Sequence, residues 1–465
     1  WRPTDDDLHF DVFSGSQSAM DTATLLTVLR DRDVKLWIET DRLKCSAPAG
    51  ALDAELRAAL ANRKEELIAL LREGDMSKNG PAAVGTIERE KRTTTLLPTI
   101  SREVPLPIIL EPHERMRCFA QELRSCGYDL ANCAKRLGVF PRLGVNFWQK
   151  MRSNWTPRAE DLIDNLVMLF VDGQQVSTEL IAKHISSAFV DATLEMRLVE
   201  QNGNFLKSSF SLFPCYGKYL VTDQAEKNNA INQVMWLWGE SFLLGGFVKR
   251  MPRRRAIDLG TGSGVHAILA SDHCARVIGA DVSPRAIAFA NFNAVLNERS
   301  NIDFVLSDLF NAIDGTCDLL VSNVPYAPDT AAKASDNFWS GGIDGTELLQ
   351  RVVEALPTRL DAEGTAHINS LFPNPPGTKI KDHFDTWLGG NLAEWDVLDH
   401  TWPVPRYEDL LSDRPFSGDK SAWRFGVVSL RRSRSDQGWW KDVGGKTMFF
   451  RDDGSCSIIA DHDAS

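Results

Sequence analysis

The sequence predicts an α/β protein built on a parallel sheet with helices on both faces, extended by smaller modules towards its N-terminus. Three observations lead there. Past Arg255, short apolar runs alternate with stretches of helical spacing, the pattern of repeated strand, crossover and strand units. The first run, Ala256 to Leu259, breaks into Gly260, Gly262 and Gly264 before helical spacing resumes at Val265. A later run, Cys317 to Ser322, ends in Asn323-Val324-Pro325-Tyr326, a polar, turn-forming cluster at the strand end where such sheets keep their ligands.

Each element follows from its own stretch. We expect strands at 256–259, 276–280, 303–306, 318–322, 364–371, 396–398 and 425–430, a seven-stranded sheet, with helices over 284–297 and 346–360. Closely spaced glycines remove the Cβ atoms that would keep a ligand from the backbone, and the helix start behind them offers unpaired N–H groups. Asp258 and the glycines therefore mark a nucleotide-like cofactor site. The second strand ends in Asp281, whose carboxylate suits the hydroxyls of a ribose. The spacing is G-x-G-x-G, whereas a dinucleotide fingerprint, G-x-G-x-x-G, needs glycine where Val265 stands.

With 465 residues the chain exceeds one compact core and implies several domains. A net charge of −11 argues against broad binding to a nucleic-acid backbone. No apolar run approaches the length of a membrane span and no secretory signal pattern is present. The eight cysteines are scattered without a C-x-x-C pair, so we read them as reduced thiols of a cytoplasmic protein, with no metal site.

Residues 1–19 form an acidic stretch and a tether: Leu8, Phe10 and Val12 alternate behind Asp5-Asp6-Asp7, and Ser14 to Ser18 reads as flexible. The first methionine is Met20, so the segment reads as an addition ahead of the natural start, either a tag remnant or a fused peptide ligand. From 20 to 75 a helix over 22–30, alternating runs at 34–38 and 42–45, and helices over 52–60 and 63–71 make a small α, β-hairpin, α, α module. Residues 76–107, with Gly80-Pro81 and three further prolines, are a linker. Residues 108–250 read as a helical lobe with a small β-wing, winged-helix-like, from helices over 116–126, 130–137, 157–170 and 178–185. After the sheet domain, 251–435, a tail over 436–465 carries another hairpin signal around Asp452-Asp453-Gly454.

The order of elements in 20–75, with "VKLWIETDRLKCSAPAG" and "LRAALANRKEELIALL", resembles the N-terminal docking domain of TubC-like nonribosomal peptide synthetase subunits. The resemblance implies that a short acidic peptide from an upstream synthase or synthetase subunit, or from a carrier protein, pairs with the hairpin edge, with Lys35, Trp37, Arg42 and Lys44 as docking residues. The stretch Asp5 to Phe13 would mimic that peptide.

The run "AIDLGTGSG" with Asp281, Asp308 and the Asn323 cluster resembles the class I S-adenosylmethionine-dependent methyltransferases, a Rossmann-like fold. The similarity is to the branch with an Asn-Pro-Pro-Tyr/Phe motif, which includes the release-factor glutamine methyltransferases. Gly341-Gly342-Ile343-Asp344-Gly345 resembles that branch's "GG-x-DG" loop. The resemblance implies S-adenosylmethionine as cofactor, with Asp258, Gly260, Gly262 and Gly264 at its methionine end, Asp281 at the ribose, and Asp308 and Leu309 at the adenine. It implies that Asn323, also counted at the cofactor, and the Val324 carbonyl accept hydrogen bonds from the substrate and that Pro325 and Tyr326 border it. Val324 departs from the motif's first proline and puts a planar-nitrogen acceptor in doubt. His266 or His367 would serve as base for an oxygen acceptor, and Trp339 would cap the pocket. Read together, the modules suggest a trans-acting methyltransferase of a polyketide or peptide assembly line, O-methylation favoured over N-methylation. A protein or nucleic-acid N-methyltransferase and a docking adaptor with an inactive enzyme domain stay open as alternatives.

Overall fold

In the computed structural model of the protein, residues 35–39, 42–46, 56, 59–60, 64, 106–136, 155–224, 233–237, 239–327, 340–403, 422–435, 437–443, 446–450 and 456–460 are described. The chain divides into two compact units, Trp1–Thr95 and Leu96–Ser465. In the first, β1 (Lys35–Glu39) and β2 (Arg42–Ser46) pair antiparallel with Glu39 opposite Arg42, as the two alternating runs predict. Leu56 and Leu60, each 2% exposed, are buried helical positions. The acidic stretch at 5–13, the helix expected over 22–30, residues 76–105 of the linker and Trp339 lie outside the described residues, as do the side chains of Lys35, Trp37, Arg42 and Lys44.

The second unit opens with α1 (Glu114–Ser125), α2 (Leu130–Arg136), α3 (Leu162–Phe170), β3 (Gln175–Ser177), α4 (Thr178–His184), α5 (Ser187–Glu195), β4 (Val199–Asn202) and β5 (Phe205–Ser208). Asp161, Ser177 and Ser186 set three of these helix starts, each side-chain oxygen accepting the N–H three residues on. The three short strands of this lobe pair in the order β3-β5-β4. A buried hairpin follows, β6 (Phe210–Cys215) with β7 (Lys218–Asp223).

Then come α6 (Gly239–Phe247), β8 (Arg253–Leu259), α7 (Val265–Ala270), β9 (Cys274–Asp281), α8 (Pro284–Leu296), β10 (Ile302–Leu306), β11 (Cys317–Asn323), α9 (Glu347–Arg359), β12 (Leu360–Pro373), α10 (Ile380–Trp387), β13 (Trp395–Pro403), β14 (Trp423–Arg432) and β15 (Trp440–Asp442). They form one sheet in the order β10-β9-β8-β11-β12-β14-β13-β15. The first five strands are parallel and β14 runs antiparallel between β12 and β13. Among the described residues the sheet thus has eight strands, one more than the seven expected. Its extra strand, β15, comes from the stretch expected as a tail, where three residues are too few for an alternating pattern to register. The hairpin signal beyond it is β16 (Lys446–Phe450) paired with β17 (Cys456–Ala460).

Successive strand residues point to opposite faces, and the two cores divide accordingly. Ile257, Leu259, Ile278, Leu320 and Ile368 pack under α9 and α10 with Leu349, Val353 and Phe384. Ala256, Val277, Leu319, Val321 and Leu371 pack under α6 and α7 with Leu244 and Ala267. A third core crosses the boundary expected at 250: Phe289 and Phe292 of α8 join Phe210, Leu212 and Leu220 of the lobe.

Two asparagines one helical turn apart bind α8 to β7. Asn293 accepts from Val221 N (2.8 Å) and donates from Nδ2 to Val221 O (2.8 Å) and Ser263 O (2.8 Å). Asn297 accepts from Tyr219 N (2.9 Å) and donates to Tyr219 O (2.7 Å). Each carboxamide substitutes for a neighbouring strand, so alternate residues of β7 are paired by a helix. Asn293→Leu keeps the branched outline, though not the volume, and leaves both Val221 groups without this partner in a site that is 0% exposed, which costs about 2 to 4 kcal/mol. Thermal unfolding of the full chain is expected to begin several degrees lower, and an unchanged midpoint would show that the bond network is dispensable.

Candidate active site

Strand order reverses between β8 and β11, and the crevice at their carboxyl ends is where such sheets bind ligands. A cleft of about 250 Å³ opens there. Gly260 and Gly262 from the turn after β8, Asp281 from β9, and Asp308 and Leu309 after β10 line one side; Asn323, Val324, Pro325 and Tyr326 line the other. Residues distant in sequence thus share one wall because they end adjacent parallel strands.

The turn takes positive φ at Gly260 (65°), Gly262 (53°) and Gly264 (82°), a conformation that side-chain-bearing residues rarely adopt. Among the described residues a Cβ at Gly260 would meet no atom within 4 Å. Gly264 serves packing instead: a Cβ there would stand 3.1 Å from the Ala290 methyl of α8. Asp258 is 1% exposed and lies behind the turn, off the cleft wall. Its Oδ2 accepts from Thr261 Oγ1 (2.7 Å) and Ala267 N (3.0 Å), while the buried Oδ1 has no partner among the described residues. Asp258 and Gly264 therefore shape the cofactor loop rather than border the ligand space.

Asp281 reaches that space and also holds the loop, Oδ2 accepting from Gly262 N (2.9 Å) and Oδ1 from Ser283 N (2.9 Å). Burial raises its carboxyl above the usual range, against those two donors. A carboxylate has about four acceptor positions, so capacity for ribose hydroxyls persists. Beside it Val282, 60% exposed on the cleft wall, offers apolar surface for a flat ring. Asp308 is exposed and paired with Arg351 (2.7 Å), and Leu309 turns the chain with φ 47°. Bare glycine backbone, an acceptor at the second strand end and an apolar rim fit S-adenosylmethionine.

The acceptor side differs from expectation in three respects. Tyr326 is 3% exposed and its hydroxyl donates to Glu240 Oε1 (2.8 Å) on α6, so the hydroxyl faces another element. His266 lines the cleft, yet among the described residues both of its buried ring nitrogens lack partners, and burial pushes it down to about 3. A group so weakly basic is a poor general base near neutrality. His367, off the cleft wall, falls to about 4 through burial, and its Nδ1 pairs with Ser429 Oγ (2.8 Å).

Sequence reasoning missed Asn369, Ser370, Glu240 and the segment 233–237. The parallel register sets Asn369 beside Asn323, and Asn369 Nδ2 donates to Asn323 Oδ1 (2.7 Å). Asn369 and Ser370, two adjacent polar residues between Ile368 and Leu371 within an expected strand, were the available signal. Val234, on the cleft wall, is tied down by Asp223, whose Oδ2 accepts from Val234 N (2.8 Å) and Arg285 Nε (2.9 Å). The Gly341–Gly345 loop lies against the Asn323 cluster, since a Cβ on Gly341 would come 2.8 Å from Pro325 O.

The buried Asp258 gives a pH signature. Burial raises its carboxyl from 3.8 to about 7, so the folded protein prefers the protonated acid. Its contribution to stability is whole below about pH 4 and is lost as pH rises from about 4 to about 7. Asp258→Asn retains an acceptor for Thr261 and Ala267 and removes the ionisation. Urea midpoints measured from about pH 4 to 8 should fall less steeply in the variant than in the parent; equal slopes would show that Asp258 does not titrate there.

Residues 23–73 match the TubC N-terminal docking domain family, and residues 238–343 match the methyltransferase small domain family. The chain is 32% identical over 134 residues to a putative protein N5-glutamine methyltransferase of Methanocaldococcus jannaschii, covering 28% of this chain and 68% of that one. It is 39% identical over 217 residues to the release factor glutamine methyltransferase of Mycobacterium leprae, covering 42% and 65%. For that of Cereibacter sphaeroides the values are 36% over 125 residues, 24% and 45%, so the chain spans less than half of this relative. Among solved structures, a ribosomal protein L11 methylase from Lactobacillus delbrueckii subsp. bulgaricus matches with 20% identity and a TM-score of 0.28, over 42% of this chain and 78% of that one. With its glycine turn, strand-end carboxylates and two matched families, the chain belongs to the class I S-adenosylmethionine-dependent methyltransferases, alongside the protein N5-glutamine methyltransferases, and carries a TubC-type docking domain ahead of the catalytic unit.

Proposed function

We propose that the protein methylates, in trans, an intermediate of a natural-product assembly line, either tethered to a carrier protein or just released. One combination carries the reading: a docking domain over 23–73 on the same chain as a methyltransferase domain. A two-stranded hairpin has outer N–H and C=O groups that an added strand can pair. Lys35, Arg42 and Lys44 on its strands suit a short acidic segment of an upstream synthase or synthetase subunit.

S-adenosylmethionine supplies a methyl group on a sulfonium for in-line transfer to a nucleophile. The chain's own residues then have to position the two partners and limit water. Gly260 and Gly262 hold the methionine end, Asp281 the ribose, and Val282, Asp308 and Leu309 the adenine. Asn323, Val324, Pro325 and Tyr326 face the acceptor, for which oxygen is favoured because Val324 departs from the nitrogen-type motif.

A protein N-methyltransferase is the second reading, favoured by the retained Asn323 and by the glutamine-methylating relatives. A nucleic-acid substrate has less support. Helix α5, the one a winged-helix lobe would lay in a groove, carries Asp191 and Glu195, and its Phe189 stacks on Phe119 of α1 at 4.8 Å. Among the described residues no helix is long and apolar enough to cross a membrane.

Calorimetry with S-adenosylhomocysteine tests the cofactor half of the proposal. The parent chain should bind at micromolar concentration and Asp281→Ala should bind about ten- to hundredfold more weakly, a loss of about 1 to 3 kcal/mol for hydrogen bonds to a charged group; equal affinities would remove Asp281 from the site. Deleting 20–75 tests the docking half. Turnover on a carrier-bound acceptor should drop by tenfold or more at low protein concentration and recover at high concentration. Unchanged turnover throughout would refute recruitment by this domain.

A further inference from the structure

Both acceptor atoms of the Asn323 cluster already receive a hydrogen bond from β12. Asn369 Nδ2 donates to Asn323 Oδ1 at 2.7 Å, and Ser370 Oγ donates to the Val324 carbonyl at 3.3 Å. Asn369 and Ser370 are both 0% exposed. The valine adds a third tie: its N–H, which a proline would lack, donates to Asn369 O at 2.9 Å. Asn323 itself is half-buried on the cleft wall, and among the described residues its Nδ2 has no protein partner.

We propose that Asn369 is a positioning residue that draws Asn323 Oδ1 into the sheet and turns Asn323 Nδ2 to the cleft, so that the site presents an N–H donor to an oxygen nucleophile. The inference rests on the methyltransferase reading above and specifies its acceptor class. A carboxamide has one acceptor end and one donor end, so holding the first commits the second. An amide or amine nucleophile brings N–H groups that need acceptors, and the two carbonyl oxygens that would receive them are each partly used. A hydroxyl or enol oxygen brings lone pairs, one accepting from Asn323 Nδ2 and another directed at the methyl carbon. The O–C bond forms as the C–S bond breaks with its electron pair staying on sulfur, and the oxygen's proton leaves to water at the cleft mouth. An enol oxygen is acidic enough to lose its proton without a strong base, so nothing is required of the buried His266.

Hydrogen positions at Asn323 provide the first test. A neutron structure of the full chain with S-adenosylhomocysteine should find deuterium on the cleft-facing end of Asn323. A bare oxygen there would overturn the inference. The second test compares acceptors: 3-hydroxybutyryl and 3-oxobutyryl N-acetylcysteamine thioesters against a Gly-Gly-Gln tripeptide amide, read as kcat/KM ratios. The parent should prefer the oxygen acceptors. In Asn369→Leu with Ser370→Ala, which frees both carbonyl oxygens, the ratio should move towards the amide by about tenfold or more while S-adenosylhomocysteine affinity stays within about threefold. Preference for the amide in the parent, or a ratio that the double substitution leaves unmoved, would overturn the acceptor assignment while leaving the methyltransferase reading intact. Loss of S-adenosylhomocysteine binding by the parent would instead strike the reading itself.

Discussion

A turn of three left-handed glycines is costly to hold, because each residue could visit many other conformations. Two aspartates from neighbouring strands hold it here. Asp258 receives Thr261 and the first turn of α7 from behind, and Asp281 receives Gly262 from the side. Thr261 N also donates to Ala280 O (2.9 Å), which closes the turn onto the end of β9. The fit leaves no slack: a Cβ on Gly279, beneath the turn, would lie 2.5 Å from Phe304 and 2.8 Å from Thr261 Oγ1. Everything the cleft offers a cofactor depends on this clamp, since it sets where the bare backbone faces and where Asp281 stands.

The same constraint explains why the lobe is not a separate appendage. Helix α8 starts at Ser283, next to Asp281, and its Asn293 grips both Val221 of β7 and the carbonyl of Ser263 in the turn. The buried Arg285–Asp223 pair adds a second tie near the start of α8. Removing one partner of such a pair leaves a buried charge uncompensated, which is more damaging than never having built the pair. One side of the cofactor loop is thereby referenced to the sheet and the other to the lobe. Segment 233–237, anchored through Asp223 on the same network, brings Val234 and Leu237 to the cleft wall.

How far the sequence could be read depended on the range of the interaction. Strands β8, β9 and β11 announce themselves because burial on both faces makes each a continuous apolar run, and the glycine turn because left-handed backbone demands glycine. Asp281 and the Asn323 cluster follow from the rule that ligands sit at strand ends. Asn293, Asn297 and Asn369 were illegible for the opposite reason: a polar residue in a helix or strand reads as solvent-facing until its distant partner is known. The weak basicity of His266 and the direction of the Tyr326 hydroxyl were not legible because both depend on burial. Topology placed both at the cleft, but only packing shows His266 enclosed without a hydrogen-bond partner among the described residues and the Tyr326 hydroxyl committed to Glu240. Strand β15 was lost through length alone.

The two halves of the cleft are built to different standards, and on the proposed reading the docking domain accounts for the difference. The cofactor half is clamped by aspartates and enclosed by glycine backbone. Among the described residues the acceptor half is bordered by the Asn323 cluster and by a loop whose Ile343 stands 79% exposed. An enzyme that meets its substrate free in solution must recover the full association cost from such walls. Tethering changes that requirement: a short flexible link raises the local concentration to about the millimolar range, so contacts worth only about 4 kcal/mol suffice to fill the site. Selectivity for the partner then resides in the hairpin, and the acceptor wall has only to orient one atom. A directed amide at Asn323, held by a single neighbour in the adjacent strand, is enough structure for that task.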